Sequence, residues 1–267
     1  MDLSEAKRYL DALIPVLCRA GQLIRSLEGE IGQPDIKQDG SPVTRADRAS
    51  HDLLLDALQR LTPDYPVISE EGDLDRIDTQ APWYWLVDPL DGTKEYLQGN
   101  GEYTINVALL HVDRPVLGLI HVPTQDTTYF AVEGQGAFKQ PTDRPPAPIR
   151  AYQGDRPPIA VVTRSHLNDE TQALLAALGV TNIVPCGSAL KQCILAEGGA
   201  DIYPRAGPIH FWDIAAGVLL VREAGGTVVD LADAPLRFDL SRGLTFTGFL
   251  MCAVVRRSAC PIARGPG

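Results

Sequence analysis

The strongest constraint on the fold is a change of pattern part-way along the chain. Between residues 66 and 134 lie five short apolar runs: PVIS (66–69), WYWLVD (83–88), TINVALLHV (104–112), PVLGLIHVP (115–123) and TTYFAVEG (127–134). Connections such as Asp113-Arg114 are far shorter than the dozen or so residues of a parallel crossover, so the runs are expected to pair as antiparallel hairpins. From residue 159 onward strands and helices alternate: IAVVTRS, NDETQALLAALG, TNIVPCG, SALKQCILAEGG, ADIYPR, WDIAAGVLLVREAGG and TVVDLA. Alternation of this kind predicts an α/β half. Between the two patterns, residues 140–158 are rich in proline and charge. The expected division is an N-terminal α+β half, 1–150, and a C-terminal α/β half, 151–267.

Two helices are expected before the first strand. Residues 4–27 carry Leu10, Leu13, Ile14, Leu17 and Ile24 at helical spacing, with Ser4 as the expected cap and a kink expected at Pro15. Residues 32–43 read as a loop or hairpin. Residues 44–61 read as an amphipathic helix with Thr44 as its cap and Asp47 in its first turn.

Composition narrows the function classes. A formal net charge of −10 argues against nucleic-acid binding through a general basic surface. No stretch approaches the roughly 18–20 apolar residues of a membrane span, and the N-terminus lacks the basic start of a signal peptide. The expected location is therefore cytoplasmic. Peripheral contact with the inner face of the inner membrane stays open, as does the choice between monomer and homodimer. Five cysteines, an odd number without CxxC spacing, read as reduced thiols. The last residues, RRSACPIARGPG, read as a frayed tail.

The chemistry centres on WYWLVDPLDGTKEY, residues 83–96, where Asp88 and Asp91 stand three apart. On a strand such residues face opposite ways. Pro89 lacks a backbone donor, so the strand is expected to stop there and the chain to turn. Both carboxylates then converge, with the Leu90 carbonyl between them, and Gly92 permits a close approach. A plain turn remains the alternative reading of this stretch alone. SEEG places Glu70 and Glu71 at another strand end, where a solvated pair is the alternative. FWDIAAG and SPVTRAD place Asp213 and Asp47 in helical first turns, where capping is the alternative. Acidic residues at four element termini point to a shared site for a hard cation, Mg²⁺ rather than zinc. No HExxH, GxSxG or Cys/His cluster competes with that reading.

SEEG, WLVDPLDGTKEY and WDIAAG, in that order and spacing, resemble the Mg²⁺-dependent, lithium-sensitive phosphatases that include inositol monophosphatase and fructose-1,6-bisphosphatase. The resemblance covers about residues 5–255. SPVTRAD, GNGEYTINVALL, TRSH and GSALKQCILAEGGADIYPRAGP resemble the bacterial 3′(2′),5′-bisphosphate nucleotidase branch. The implied fold is a layered αβαβα sandwich.

The same resemblance implies the roles of individual residues. Glu70, Asp88 and the Leu90 carbonyl would hold one Mg²⁺. Asp88, Asp91 and Asp213 would hold a second, and a third, weaker ion near Asp47 is left open. Glu70, Thr93 and Asp47 would be catalytic, with Glu70 and the Thr93 hydroxyl orienting the attacking water and Asp47 pairing with Thr93. The scissile phosphate would lie among Glu70, Leu90, Asp91, Gly92, Thr93 and Asp213. Ser188, Lys191, Arg205 and His166 would face the rest of the substrate, a small nucleotide bisphosphate. The implied reaction converts adenosine 3′,5′-bisphosphate to AMP and phosphate in support of sulfate assimilation, with 3′-phosphoadenylyl sulfate as a further substrate. Two alternatives remain: an inositol-1-monophosphatase, and a non-catalytic metal- or polyphosphate-binding regulator. One departure concerns GPIHFWD, where Ile209 replaces a hydroxyl residue found in many relatives and His210 is an unfamiliar neighbour. The fine shape of the substrate pocket stays open for that reason.

Overall fold

The computed structural model describes residues 2–28, 34–37, 40–164 and 167–253. His166 and the expected frayed tail lie outside the described residues. The first helix, α1 (Leu3–Ser26), buries Tyr9, Leu13, Leu17, Ala20 and Ile24 along one stripe. Its cap is Asp2 rather than the expected Ser4: the Asp2 carboxylate accepts the Glu5 N–H at 2.8 Å. The helix begins one residue before Ser4, so the serine lies inside it. Pro15 sits within a single continuous helix.

A two-stranded hairpin follows, β1 (Asp35–Ile36) with β2 (Pro42–Val43). It leads into α2 (Arg45–Leu61), which opens on a full capping box between Thr44 and Asp47.

One sheet has seven strands in sequence order: β3 (Val67–Ser69), β4 (Trp83–Asp91), β5 (Thr104–His111), β6 (Arg114–Val122), β7 (Thr127–Val132), β8 (Gly136–Pro141) and β9 (Ala147–Ile149). A short helix, α3 (Thr93–Gln98), stands between β4 and β5. The hairpin expectation holds from β4 to β9, whereas β3 pairs with β4 in parallel. One expectation needs correction. The strand does not stop at Asp88: β4 continues to Asp91, with its register against β5 shifted between those two residues. Proline cannot donate to a ladder but fits where the ladder is interrupted. At the start of the proline-rich stretch, β8 ends at Pro141 and β9 (Ala147–Ile149) adds the last strand of the sheet. The Glu223 carboxylate accepts the Gly134 and Gly136 N–H groups, each at 2.8 Å, and so pins the β7–β8 turn.

The second sheet has the order β11-β10-β12-β14-β13. Its strands are β10 (Ile159–Thr163), β11 (Asn182–Cys186), β12 (Ile202–His210), β13 (Thr227–Val229) and β14 (Thr245–Cys252). The helices are α4 (Asp169–Ala177), α5 (Leu190–Ala196) and α6 (Phe211–Glu223). α1 and α2 cover one face of the seven-stranded sheet. α6 packs its other face and also touches β12, β13 and β14, with α5 alongside, while α4 covers β12 from outside. The layers therefore run αβαβα. α6 is apolar nearly all round, as a helix enclosed on both sides must be.

Gly118 in β6 is where strand and helix come closest. A Cβ there would stand 2.8 Å from the Ala216 carbonyl oxygen and 2.9 Å from its Cα. Both obstacles are backbone. Gly118→Ala should cost about 1–3 kcal/mol through overpacking. Urea unfolding should show a lower midpoint at unchanged slope.

Candidate active site

Three ligand-bearing segments end at one cleft of about 310 Å³. The end of β3 supplies Glu70, the interrupted part of β4 supplies Asp88, Leu90 and Asp91, and the first turn of α6 supplies Asp213. Carboxylate oxygens of Glu70, Asp88 and Asp213 lie within 4.8 Å of one another. Asp91 is outside that trio but lines the same cleft.

Each carboxylate is held by groups that fix its direction. Asp88, only 2 % exposed, accepts the Leu90 N–H at 3.1 Å. The Pro89 carbonyl is taken by the Ser50 hydroxyl at 2.7 Å, which anchors the bulge to α2. Asp91 Oδ2 accepts the Ala189 N–H at 2.6 Å and the Asn106 amide at 3.2 Å. Asp213 accepts the His210 N–H at 3.2 Å. Asp47 is buried; its Oδ2 accepts both the N–H and the hydroxyl of Thr44, and its Oδ1 accepts the Thr93 hydroxyl at 2.9 Å. Gly92, at φ 93°, has a conformation that favours glycine. A side chain there would also crowd the Glu102 carbonyl and Ser188.

The electrostatics are those of negative charge confined out of water. Burial, with repulsion from Glu70, Asp91 and Asp213, pushes the Asp88 carboxyl well above the usual range. Burial and the charges of Asp91 and Glu70 do the same to Asp213. Asp91 rises to about 6, chiefly through burial, with Lys191 and its hydrogen bonds opposing the shift. A cation would remove the repulsion, and hard carboxylate oxygens at this spacing suit a divalent ion. The Lys37 ammonium already stands in this role beside the trio, meeting Glu70 at 2.7 Å and also pairing with Glu71. Glu71 thus faces Lys37 rather than joining the trio.

The cleft is also lined by Thr163, Ser188, Lys191, Tyr203 and Arg205. Ser188 has a positive φ of 48°, a strained state for a non-glycine residue. Lys191 is only 4 % exposed, and its ammonium donates to the Ser188 and Cys186 carbonyls at 2.6 and 3.3 Å. Arg205 donates to the Pro208 carbonyl at 3.1 Å, while its Nε is buried with no partner among the described residues. Ile209 and His210 also line the cleft, and the His210 ring stacks on Trp212 at 4.6 Å.

Sequence reasoning missed Lys37, Ser50, Asn106 and Thr163. Lys37 lies in a stretch that carries only turn signals. Asn106 lies in a strand, where its polar side chain among apolar neighbours was the available signal. The described cysteines, Cys18, Cys186, Cys193 and Cys252, are free thiols, as expected.

A family model described as the inositol monophosphatase family matches residues 5–249. The chain belongs to that family. Among curated members, the 3′(2′),5′-bisphosphate nucleotidase CysQ of Escherichia coli (strain K12) is 39 % identical over 244 residues, covering 90 % of this chain and 98 % of its own. The CysQ of Salmonella typhimurium is 43 % identical over 215 residues, 80 % of this chain and 86 % of that one. The crystal structure of CysQ from Bacteroides thetaiotaomicron superposes with a TM-score of 0.78 at 36 % identity, covering 94 % of this chain and 97 % of that one. Members of the inositol monophosphatase family are metal-dependent phosphatases, and the acidic trio is this chain's candidate metal-holding group. Among the described residues no helix is long and apolar enough to cross a membrane.

Proposed function

We propose that the protein is a Mg²⁺-dependent 3′(2′),5′-bisphosphate nucleotidase that releases phosphate from adenosine 3′,5′-bisphosphate to leave AMP. The observation that carries this reading is the cleft itself. Three converging carboxylates share it with Lys191, Arg205 and Ser188. The relatives named CysQ support the same substrate class. Glu70, Asp88, Asp91, Asp213 and the Leu90 carbonyl would hold two divalent cations. Bound there, such ions supply positive charge to phosphoryl oxygens and acidify water.

This chain's own groups do the rest. The Thr93 hydroxyl gives its proton to Asp47, so its oxygen is left to accept from the attacking water. Glu70, which lines the same cleft, would orient the same water. The Gly92–Thr93 turn offers backbone N–H groups at the start of α3 to the transferred phosphate. In the same cleft, Arg205 has donor capacity beyond its bond to the Pro208 carbonyl, which suits a second phosphate. Lys191 contributes buried positive charge near Asp91, with two of its three protons already bound to carbonyls. His166 lies outside the described residues and is proposed as a substrate contact on the TRSH resemblance alone.

The test is phosphate release, with Mg²⁺ and with EDTA, from adenosine 3′,5′-bisphosphate, inositol 1-phosphate and fructose 1,6-bisphosphate. Preference for the nucleotide is expected, and a preference for inositol phosphate would overturn the assignment. Arg205→Ala should reduce kcat/KM for the nucleotide by about 10²-fold, the loss of one charge-assisted contact. It should leave turnover of para-nitrophenyl phosphate nearly unchanged; equal losses on both would remove Arg205 from the substrate site.

A further inference from the structure

The turn that carries Ser188 is held from both sides by carboxylates of the other sheet's segments. Asp91 takes the Ala189 N–H at 2.6 Å, and Glu102 takes the Gly187 N–H at 2.7 Å. Ser188, between them, is forced into its left-handed conformation. Glu102 lies in the loop between α3 and β5 and does more than accept that one bond. Its two oxygens receive a fork from Arg164, Nε at 2.8 Å and a terminal nitrogen at 2.6 Å. The same Arg164 donates to the Pro185 carbonyl at 2.9 Å, and its backbone N–H reaches the Cys186 carbonyl at 3.3 Å. One side chain thus ties the end of β10 and the end of β11 to the loop beside the phosphate-binding turn.

Close packing reinforces the link. The Glu102 carbonyl lies wedged between two glycines. A Cβ on Gly187 would approach it to 2.7 Å, and one on Gly92 to 3.2 Å. The Gly92–Thr93 turn and the Gly187–Ser188 turn therefore touch through Glu102. Thr163, which lines the cleft, immediately precedes Arg164.

The Arg164 and Glu102 side chains are 41 % and 21 % exposed. An ion pair at such a site contributes little to stability. A bidentate guanidinium–carboxylate fork does, however, fix distance and angle in a way a point charge cannot.

We propose that the Glu102–Arg164 fork is a positioning device: it sets the gap between the phosphate-binding turn at Gly92–Thr93 and the cleft wall formed by Thr163 and Ser188. It thereby governs affinity for the part of the substrate beyond the transferred phosphate. The inference rests on the nucleotidase reading for its substrate and on geometry for its mechanism.

The experiment uses the full chain with Mg²⁺ and three variants: Arg164→Lys, Glu102→Gln and the double variant. Each single variant should raise KM for adenosine 3′,5′-bisphosphate about tenfold, a modest share of what an ångström of misplacement can cost. The kcat should stay within about twofold, since the transferred phosphate's own contacts are intact. Both constants for para-nitrophenyl phosphate should be unchanged, and the double variant should be no worse than the singles. Equal losses on the two substrates, additive losses or an unaltered KM would overturn the proposal. Hydrogen exchange supplies a readout that needs no substrate: amides of residues 186–190 should lose protection in the variants at unchanged midpoint temperature. Unaltered protection there would overturn the positioning role even if the wild-type protein proved inactive on the nucleotide, an outcome that would separately refute the nucleotidase reading.

Discussion

Asp88→Asn is expected to raise the unfolding temperature of the metal-free protein while lowering phosphate release at least about a thousandfold. The two effects share one cause. Asp88 is buried among Glu70, Asp91 and Asp213, and among the described residues the hydrogen bond that compensates it comes from the Leu90 N–H. An amide of the same shape can accept that bond through its oxygen and carries no charge to repel the others. Without metal, the substitution therefore removes a penalty rather than a contact. With metal, the same substitution removes one carboxylate of the trio Glu70, Asp88 and Asp213. Mg²⁺ should consequently stabilise the wild-type protein strongly and the variant weakly. Thermal scans in EDTA and in Mg²⁺, together with turnover, decide the matter. A variant that is less stable than wild type in EDTA would show that the carboxylates are not in conflict.

A second large effect concerns pH. Burial and mutual repulsion favour protonated carboxyls in the native state, so the folded metal-free protein binds protons that the unfolded chain releases. The stability these groups contribute is full below the ordinary carboxylate value of about 3.9. For Asp91 it is lost as pH rises through about 6, and for Asp88 and Asp213 the loss extends over a window that begins at the same point. In EDTA these carboxyls alone should thus lower the unfolding free energy by a few kcal/mol from about pH 4 to pH 7, a contribution isolated by comparison with Asp88→Asn. Glu102 and Asp239, held below the usual range by hydrogen bonds, act oppositely on acidification below about pH 4, and His121, pushed down to about 4 by burial, together with His51, lowered for the same reason, acts oppositely between about pH 4 and 6.5. Metal binding needs the carboxylates ionised, so saturating Mg²⁺ should shift the slope in the positive direction. Urea titrations at several pH values, with and without the ion, measure this directly. A slope that Mg²⁺ leaves unchanged would mean that the acidic cluster does not bind the cation.

The acidic residues were legible in the sequence because each sits at an element terminus with local markers. Glu70 follows a short apolar run, Asp213 opens a helix, and Asp47 completes a capping box that Thr44 begins. The path of β4 was not legible. Pro89 signals an ending, yet the ladder resumes at Asp91, because the Ser50 hydroxyl takes the Pro89 carbonyl and β5 accepts a shift of register. β14 escaped for a related reason: Gly248, at φ 151°, interrupts a run whose first residues are exposed. The partners Lys37 with Glu70 and Arg164 with Glu102 leave no periodic trace. They are separated by 33 and 62 residues, and only the layered fold brings them together.

α6 is at once the innermost layer of the molecule and the bearer of Asp213. Requirements that most enzymes distribute over separate parts fall here on thirteen consecutive residues. Neither sheet can shift against its neighbour without carrying a prospective ligand along. Selection for a tighter interior and selection for a better-aligned reaction centre therefore act on the same segment, and this protein has little freedom to improve one at the expense of the other.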